Sequence, residues 1–459
     1  MDGVKVVTGA SALVLLMACA GPAPALADTI QGALVQAYQG NPQLNAQRAQ
    51  VRSTDEAVPQ ALSGYRPKVS IAASGGYQYT DETLAGTRIH QAAPPSSAAL
   101  NVTQNLYNGN QTANKTRAAE AQVSGAREAL RVLEQGVLFS AASVYMDYLR
   151  DSATVEVNKS NVRVLEQTLK QTRDRFNVGE VTRTDVAQSE AQLAAGKTQE
   201  LQAESNLTTT RANYRRIIGS EPQNLAPGSP VDRFLPKSLP QAVDLSLIEN
   251  PNVTAAMFGI DVNFLTVKVN EGALLPTVNL VASVAQQYQQ SPQLAQQFTA
   301  SAIAQVNVPI YQGGAEYSLI RQSKENLAQQ RLTLEQTRDQ TRANTVTAWG
   351  QLDATKAQVI SAQSQVTASE IALNGVREEA KAGQRTTLDV LNAQQALVNA
   401  RIALVTAQHD RVVASYSVLQ AIGRLSPQVL SLNTSTYDPT VHYHQVRDSW
   451  FGMRAPDGR

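Results

Sequence analysis

Arg175-Phe176-Asn177-Val178-Gly179-Glu180-Val181-Thr182-Arg183-Thr184-Asp185-Val186 and Ala382-Gly383-Gln384-Arg385-Thr386-Thr387-Leu388-Asp389-Val390-Leu391-Asn392-Ala393 are one turn written twice. In each, glycine follows a long helix-like stretch, then comes Thr, then Asp three residues later. Glycine stops a helix, and an N-terminal Asp starts the next through cap and dipole effects. Working outward, the repeat extends over most of the chain. Gly219 answers Gly423, Tyr107-Asn108-Gly109 answers Tyr311-Gln312-Gly313, and Asn41-Pro42 answers Asn250-Pro251. The offset is 204 for the first two pairs and 209 for the last. It changes only where one hairpin loop is shorter than its copy. Such self-similarity makes the chain a duplication.

The periods inside each copy differ by region. Gln111 to Phe176 reads as one helix with a seam at Val162, Leu165, Leu169, Thr172 and Phe176, spaced 3, 4, 3, 4. Val366, Ser369, Leu373, Val376 and Ala380 stand at the same places in the second copy. A further helix from Thr184 to Ile218 carries Val186, Leu193 and Leu201, answered by Val390, Leu397 and Leu404. Asp28 to Ser63 reads as the first helix. At 1.5 Å per residue the long helix spans about 100 Å, too long for one globular core.

Ahead of each long helix the period falls to 2. Val69, Ile71 and Ala73 alternate with Lys68, Ser70 and Ser74. Leu100, Val102 and Leu106 alternate with Asn101, Thr103, Asn105 and Tyr107. Val278, Leu280, Ala282 and Val284, then Val306, Val308 and Ile310, do the same in the second copy. This gives four strands of about 10–13 residues, the length a tilted membrane strand needs. Polar loops are expected near 81–96 and 289–296. One face is apolar, and no sequence remains to cover it. Lipid outside and water inside resolve this if several chains pool their strands.

The expected division is 1–27 leader, 28–219 first repeat with a hairpin at about 66–108, 220–246 linker, 247–423 second repeat with a hairpin at about 275–311, and 424–459 tail. The linker rests on Pro222, Pro227, Pro230, Pro236 and Pro240. The leader has Lys5, an apolar run to Ala20 and an Ala25-Leu26-Ala27 cleavage site, which predicts a mature start at Asp28. Leu16-Met17-Ala18-Cys19 offers a second reading as a lipobox, with Cys19 acylated. Cys19 is the only cysteine, which excludes a disulfide framework, a thiolate metal site and a cysteine nucleophile.

Other classes are excluded more simply. A formal net charge of +1 leaves no overall bias toward nucleic acid. Aromatic content of 5% suits helices packed through small side chains rather than an enzyme core. Phosphate loops and nucleophile elbows are absent, so no catalytic residue and no cofactor is indicated. His442-Tyr443-His444 lacks a third ligand and reads as surface rather than metal site. His90 falls in a polar loop, and His409 has no partner visible in sequence. A secreted flagellin-like filament shares the long helices and scarce cysteine, but not the leader or the membrane-length hairpins.

The two tip motifs, the duplicated plan, Pro67 and Pro276 before the strands, and the Tyr107 and Tyr311 exits together resemble the TolC family of outer-membrane efflux proteins. The resemblance runs from Asp28 to about Gly423. The tail from Tyr437-Asp438-Pro439 to Trp450-Phe451 is similar to that of alphaproteobacterial members. The resemblance implies a mainly α fold with membrane β: a homotrimer with a 12-stranded outer-membrane β-barrel continuous with a 12-helix periplasmic α-barrel. It also implies a passive channel for efflux or type I secretion, working with a periplasmic adaptor and an inner-membrane pump. Thr184, Asp185 and Arg385 match the residues that hold the tunnel end shut, while the tyrosine of that network falls at Ala380. Of two acidic constriction rings, Asp389 matches one, and the other falls at Asn392. A ring of three carboxylates would favour cations and raise its own pKa.

Overall fold

A computed structural model describes residues 28–84, 86–291 and 294–456. The leader, including the Ala25-Leu26-Ala27 site and Cys19, lies outside the described residues. The first helical segment is three helices, α1 (Ile30–Gly40), α2 (Pro42–Asp55) and α3 (Ala57–Leu62), rather than one. The break is built by Asn41, whose side chain accepts from the backbone of Gln43 and Leu44 as N-cap of α2, with Pro42 in the first turn.

Strands β1 (Lys68–Gly75), β2 (Gln78–Leu84), β3 (Thr87–Ala93) and β4 (Ser96–Asn108) follow, then α4 (Gln111–Asn177) and α5 (Arg183–Ile218). The second half has α6 (Leu239–Glu249), α7 (Pro251–Gly272), β5 (Thr277–Ser291), β6 (Leu294–Asn307), α8 (Ala315–Lys381) and α9 (Thr387–Ile422). A short α10 (Thr440–Val446) lies in the tail. The proline-rich stretch therefore contains the start of α6. Pro240 sits in that helix's first turn, where its missing N–H costs nothing.

β1, β4, β5 and β6 form one antiparallel sheet in the order β1-β4-β5-β6. β2 and β3 form a separate ribbon, so the expected loop at 81–96 is largely strand and His90 lies within it. Gly75-Gly76 and Pro94-Pro95 separate ribbon from sheet, as expected where the ladder loses side chains and donors. Register puts Val69 opposite Val102, Ile71 opposite Leu100, Leu100 opposite Val284, and Val278 opposite Val306. Cross-strand partners share a face. These apolar residues therefore form one surface, while Asn101, Thr103, Asn105, Asn279, Ser283 and Ser301 share the other. Two serine pairs, Ser74–Ser97 at 2.8 Å and Ser283–Ser301 at 2.9 Å, repeat on the polar face. Val281 opposite Ile303 is an apolar exception there. Between Asn105 and Tyr107 a bulge shifts the register, so Tyr107 joins the apolar face, where simple alternation had put it with the polar set.

Below the sheet, α4 packs on α5 and α8 on α9. Val162, Leu165, Leu169 and Thr172 are buried, and Phe176 emerges exposed at the tip. Leu201 is exposed too, against the expected seam. The α5 seam is instead Ser189, Gly196, Ala203 and Thr210, seven residues apart. Small residues let the helices approach closely, and any side chain at Gly196 would run into Leu165. The largest hydrophobic core among the described residues lies where α1, α2, α4 and the C-terminal ends of α5 and α9 meet, around Leu34, Leu44, Leu138, Tyr145, Tyr214 and Tyr416.

Sheet and helices join through a backbone contact. A methyl on Gly272, the last residue of α7, would be driven into the carbonyl of Gly109, and one on Gly109 into that of Gly272. Gly109 also has a φ of +63°, a left-handed conformation that favours glycine. Gly272→Ala should therefore cost about 1–3 kcal/mol through forced backbone movement. A thermal melt of the purified protein measures it; an unchanged melting temperature would mean that the joint tolerates separation.

Candidate functional site

Both tips are built alike. Gly179 (φ +81°) and Gly383 (φ +77°) turn the chain out of α4 and α8. Thr182 then caps α5: its Oγ1 accepts from the N–H of Asp185, and the Asp185 carboxylate accepts from the Thr182 N–H at 2.9 Å and hydroxyl at 2.7 Å. Thr386 and Asp389 repeat this on α9, at 3.0 and 2.8 Å. Each is a reciprocal capping box.

The hydrogen bonds from the Thr182 hydroxyl and backbone hold the Asp185 carboxyl below the usual carboxylate range. The backbone and hydroxyl of Thr386 do the same for Asp389. Within one chain, then, the cap lowers the Asp389 pKa, opposite to the increase expected from a ring of like charges. A lowered carboxyl contributes its cap stability above the free value of 3.8 and loses it as pH falls through the folded value.

The two tips face each other across a cleft lined by Gln171, Arg175, Glu180 and Asp185 on one side and Arg377 and Arg385 on the other. Ala380 also lines it. Asp185 and Arg385 thus stand on one cleft, but each is bound within its own hairpin. Arg385 donates to Glu379 at 2.9 Å. Arg175 donates to Glu180 at 3.0 Å. Thr184 is exposed on the first turn of α5, and Asn392 is exposed on α9, three residues past Asp389. Contacts between hairpins come from residues that sequence reading missed. Gln394 donates to Asn161 at 3.2 Å and Gln192 donates to Gln395 at 3.1 Å, while Arg377 holds Gln394 from within the α8–α9 hairpin at 2.9 Å. Asn161 beside the seam residue Val162 was the available signal, since a polar residue in a seam fixes register.

Farther along the same α4–α9 contact, His409 meets Asp147 at 2.9 Å through Nε2 and Asp410 at 2.8 Å through Nδ1. Burial works against the charged imidazole, but the two carboxylates outweigh it, and the His409 pKa is raised from 6.5. Its stabilisation is complete below the unfolded value near 6.5 and disappears as pH rises through the folded value. His409→Gln should therefore lower the melting temperature more at acidic pH than at alkaline pH. An equal loss at both would mean that the imidazole acts only by packing.

A family profile described as outer membrane efflux protein matches residues 33–220 and 242–424. The chain belongs to that family. Outer membrane efflux protein BepC of Brucella suis is 40% identical over 439 residues, covering 95% of this chain and 94% of BepC. Outer membrane protein TolC of Escherichia coli is 25% identical, covering 88% and 85%. The crystal structure of VceC from Vibrio cholerae shares the fold with a TM-score of 0.74 at 18% identity, covering 86% of this chain and 96% of that one. This family channel lies in the outer membrane with a large periplasmic portion, and serves efflux or type I secretion. It is not an enzyme. The flagellin-like alternative is not supported.

Proposed function

We propose that three copies close into one duct: a 12-stranded barrel in the outer membrane continuous with a tunnel of 12 helical columns in the periplasm. One observation carries this reading: β1 and β6 are open edges of a four-stranded sheet with one apolar and one polar face. Unpaired edges are not tolerated in lipid, and only further strands can satisfy them. Two copies would give eight strands, whose bore side chains fill; three give room for a watery passage. Each chain's α4, α5, α8 and α9 continue the wall downward.

The duct conducts passively. A periplasmic adaptor and an inner-membrane pump, the partners with which channels of this family work, supply direction and energy. Thr184, Asp185 and Arg385 hold the periplasmic end shut through contacts between neighbouring hairpins. Asp389 forms the charged constriction, and Asn392 lines the next turn. The proximity of Asp185 and Arg385 on one cleft supports this assignment. Native mass spectrometry of detergent-extracted protein tests the assembly. A single three-chain species is expected, and a monomer or a dimer would overturn the proposal.

A further inference from the structure

The C-terminal tail is pinned along the molecule's flank in a fixed order. The Tyr437 N–H donates to the Tyr38 hydroxyl at 3.1 Å. His442 lies 3.0 Å from the fully buried carboxylate of Asp55, so it is not the surface residue its sequence suggested. Arg127 stacks on Tyr443 at 5.0 Å, Val446 is buried, and Arg447 reaches Glu120 at 3.6 Å. Arg66 then donates to the Ser449 carbonyl at 2.6 Å and stacks over Trp450 at 4.8 Å. The tail's partners Tyr38, Asp55 and Arg66 follow the chain toward Lys68, where β1 begins. The tail therefore climbs to the junction of helices and sheet.

At that junction it presents apolar surface to solvent. Trp450 is 66% exposed, Phe451 94% and Met453 103%. A pinned segment that ends in three exposed large apolar side chains is built to meet something. The surroundings indicate what. Tyr65, Tyr107 and Tyr311 are exposed at the same strand ends, and Tyr107 lies on the apolar face. Arg66, Arg447 and Arg454 supply positive charge, against Asp448 among the described residues of the tail end. Tryptophan and tyrosine beside basic residues, level with the end of a membrane strand, match the phospholipid headgroup boundary.

We infer that Trp450, Phe451 and Met453 dip into the periplasmic leaflet of the outer membrane, with Arg66 on its phosphates. The tail then acts as a lipid anchor that sets the depth of the barrel. Arg66 orients the indole: its guanidinium covers one ring face, leaving the rest for lipid.

This inference rests on the sheet being a membrane barrel, so its test carries an internal control. The chain has two tryptophans, Trp349 and Trp450. Trp349→Phe leaves Trp450 as sole emitter. In vesicles of phosphatidylethanolamine and phosphatidylglycerol, a nitroxide near the lipid ester should remove most of its emission. A nitroxide near the acyl terminus should remove little. The control places tryptophan at position 100 by Leu100→Trp, with Trp349→Phe and Trp450→Phe, and should respond most to the deep nitroxide. If position 100 responds and Trp450 does not, the tail faces water, the bore or another protein, and the anchor is refuted while the barrel stands. If neither responds, both fall. Should Trp349→Phe impair assembly, 5-fluorotryptophan in the unaltered chain gives one resonance per tryptophan. Paramagnetic lipid must then broaden that of Trp450; an unbroadened signal refutes the anchor.

Discussion

Leu100→Arg should cost about 2–4 kcal/mol per chain if its position is near mid-membrane. Three copies would share one barrel, so the assembled trimer carries the penalty threefold. Leu100 lies in β4, between Ile71 and Val284 on the apolar face. A guanidinium there must either sit in hydrocarbon or drag water inward. The neighbouring Asn101, opposite Ser70 and Ser283, faces the other way. Asn101→Arg should therefore be tolerated, because in the proposed barrel its charge enters the aqueous bore. Both variants are refolded into phospholipid vesicles, and the yield of heat-resistant trimer is read against urea. Loss confined to Leu100→Arg supports the assignment of faces. Equal loss, or none, would mean that the sheet does not separate lipid from water.

Much of this surface could be read from alternation alone, because period 2 is a geometric property of a strand. Tyr107 could not. A bulge adds a residue without changing composition, and counting by twos places every later side chain on the wrong face. The α5 seam failed for a related reason. Leu201 has the spacing and bulk of a seam residue, whereas Gly196 and Ala203 occupy the contact because close helix approach requires small groups there. Pro240 misled by residue type: its meaning depends on helix position, which composition does not give. The Asp55–His442 and Asp147–His409 pairs join residues hundreds of positions apart, so no local pattern announces them.

At the tips the sequence carried two meanings at once. Asp185 and Asp389 look like caps, and each one is a cap. Capping does not use all of a carboxylate, which accepts at both oxygens. Thr182 engages Oδ2 of Asp185, and Thr386 engages Oδ2 of Asp389. The second oxygen of each could serve a neighbouring hairpin. Arg385 likewise donates to Glu379 through Nε, which leaves its outer nitrogens available. The Asp185 carboxyl is lowered from 3.8, so it remains charged through mildly acidic conditions, as a lock made of ion pairs requires.

Asp185→Ala combined with Arg385→Ser should therefore raise single-channel conductance in planar bilayers and admit large antibiotics such as vancomycin into cells. The contacts are exposed, and exposed ion pairs are individually weak and screened by salt. An adaptor can overcome them, and the wild-type closed state should loosen as ionic strength rises. Ala380 in place of a tyrosine places more of the closure on these charges. Thr182→Ala separates lock from cap, since it removes the capping box but keeps the Asp185 carboxylate. It should leave conductance near the wild-type value. If Thr182→Ala opens the channel as far as the double variant, a frayed helix end is responsible. If the double variant conducts like the wild type, Asp185 and Arg385 are only a cap and a surface charge. Asp389→Ala should act differently, because a charged ring selects ions rather than holding helices together. It should reduce cation selectivity and weaken block by trivalent cations while leaving the closed state in place. Undiminished trivalent block in Asp389→Ala would remove Asp389 from the constriction.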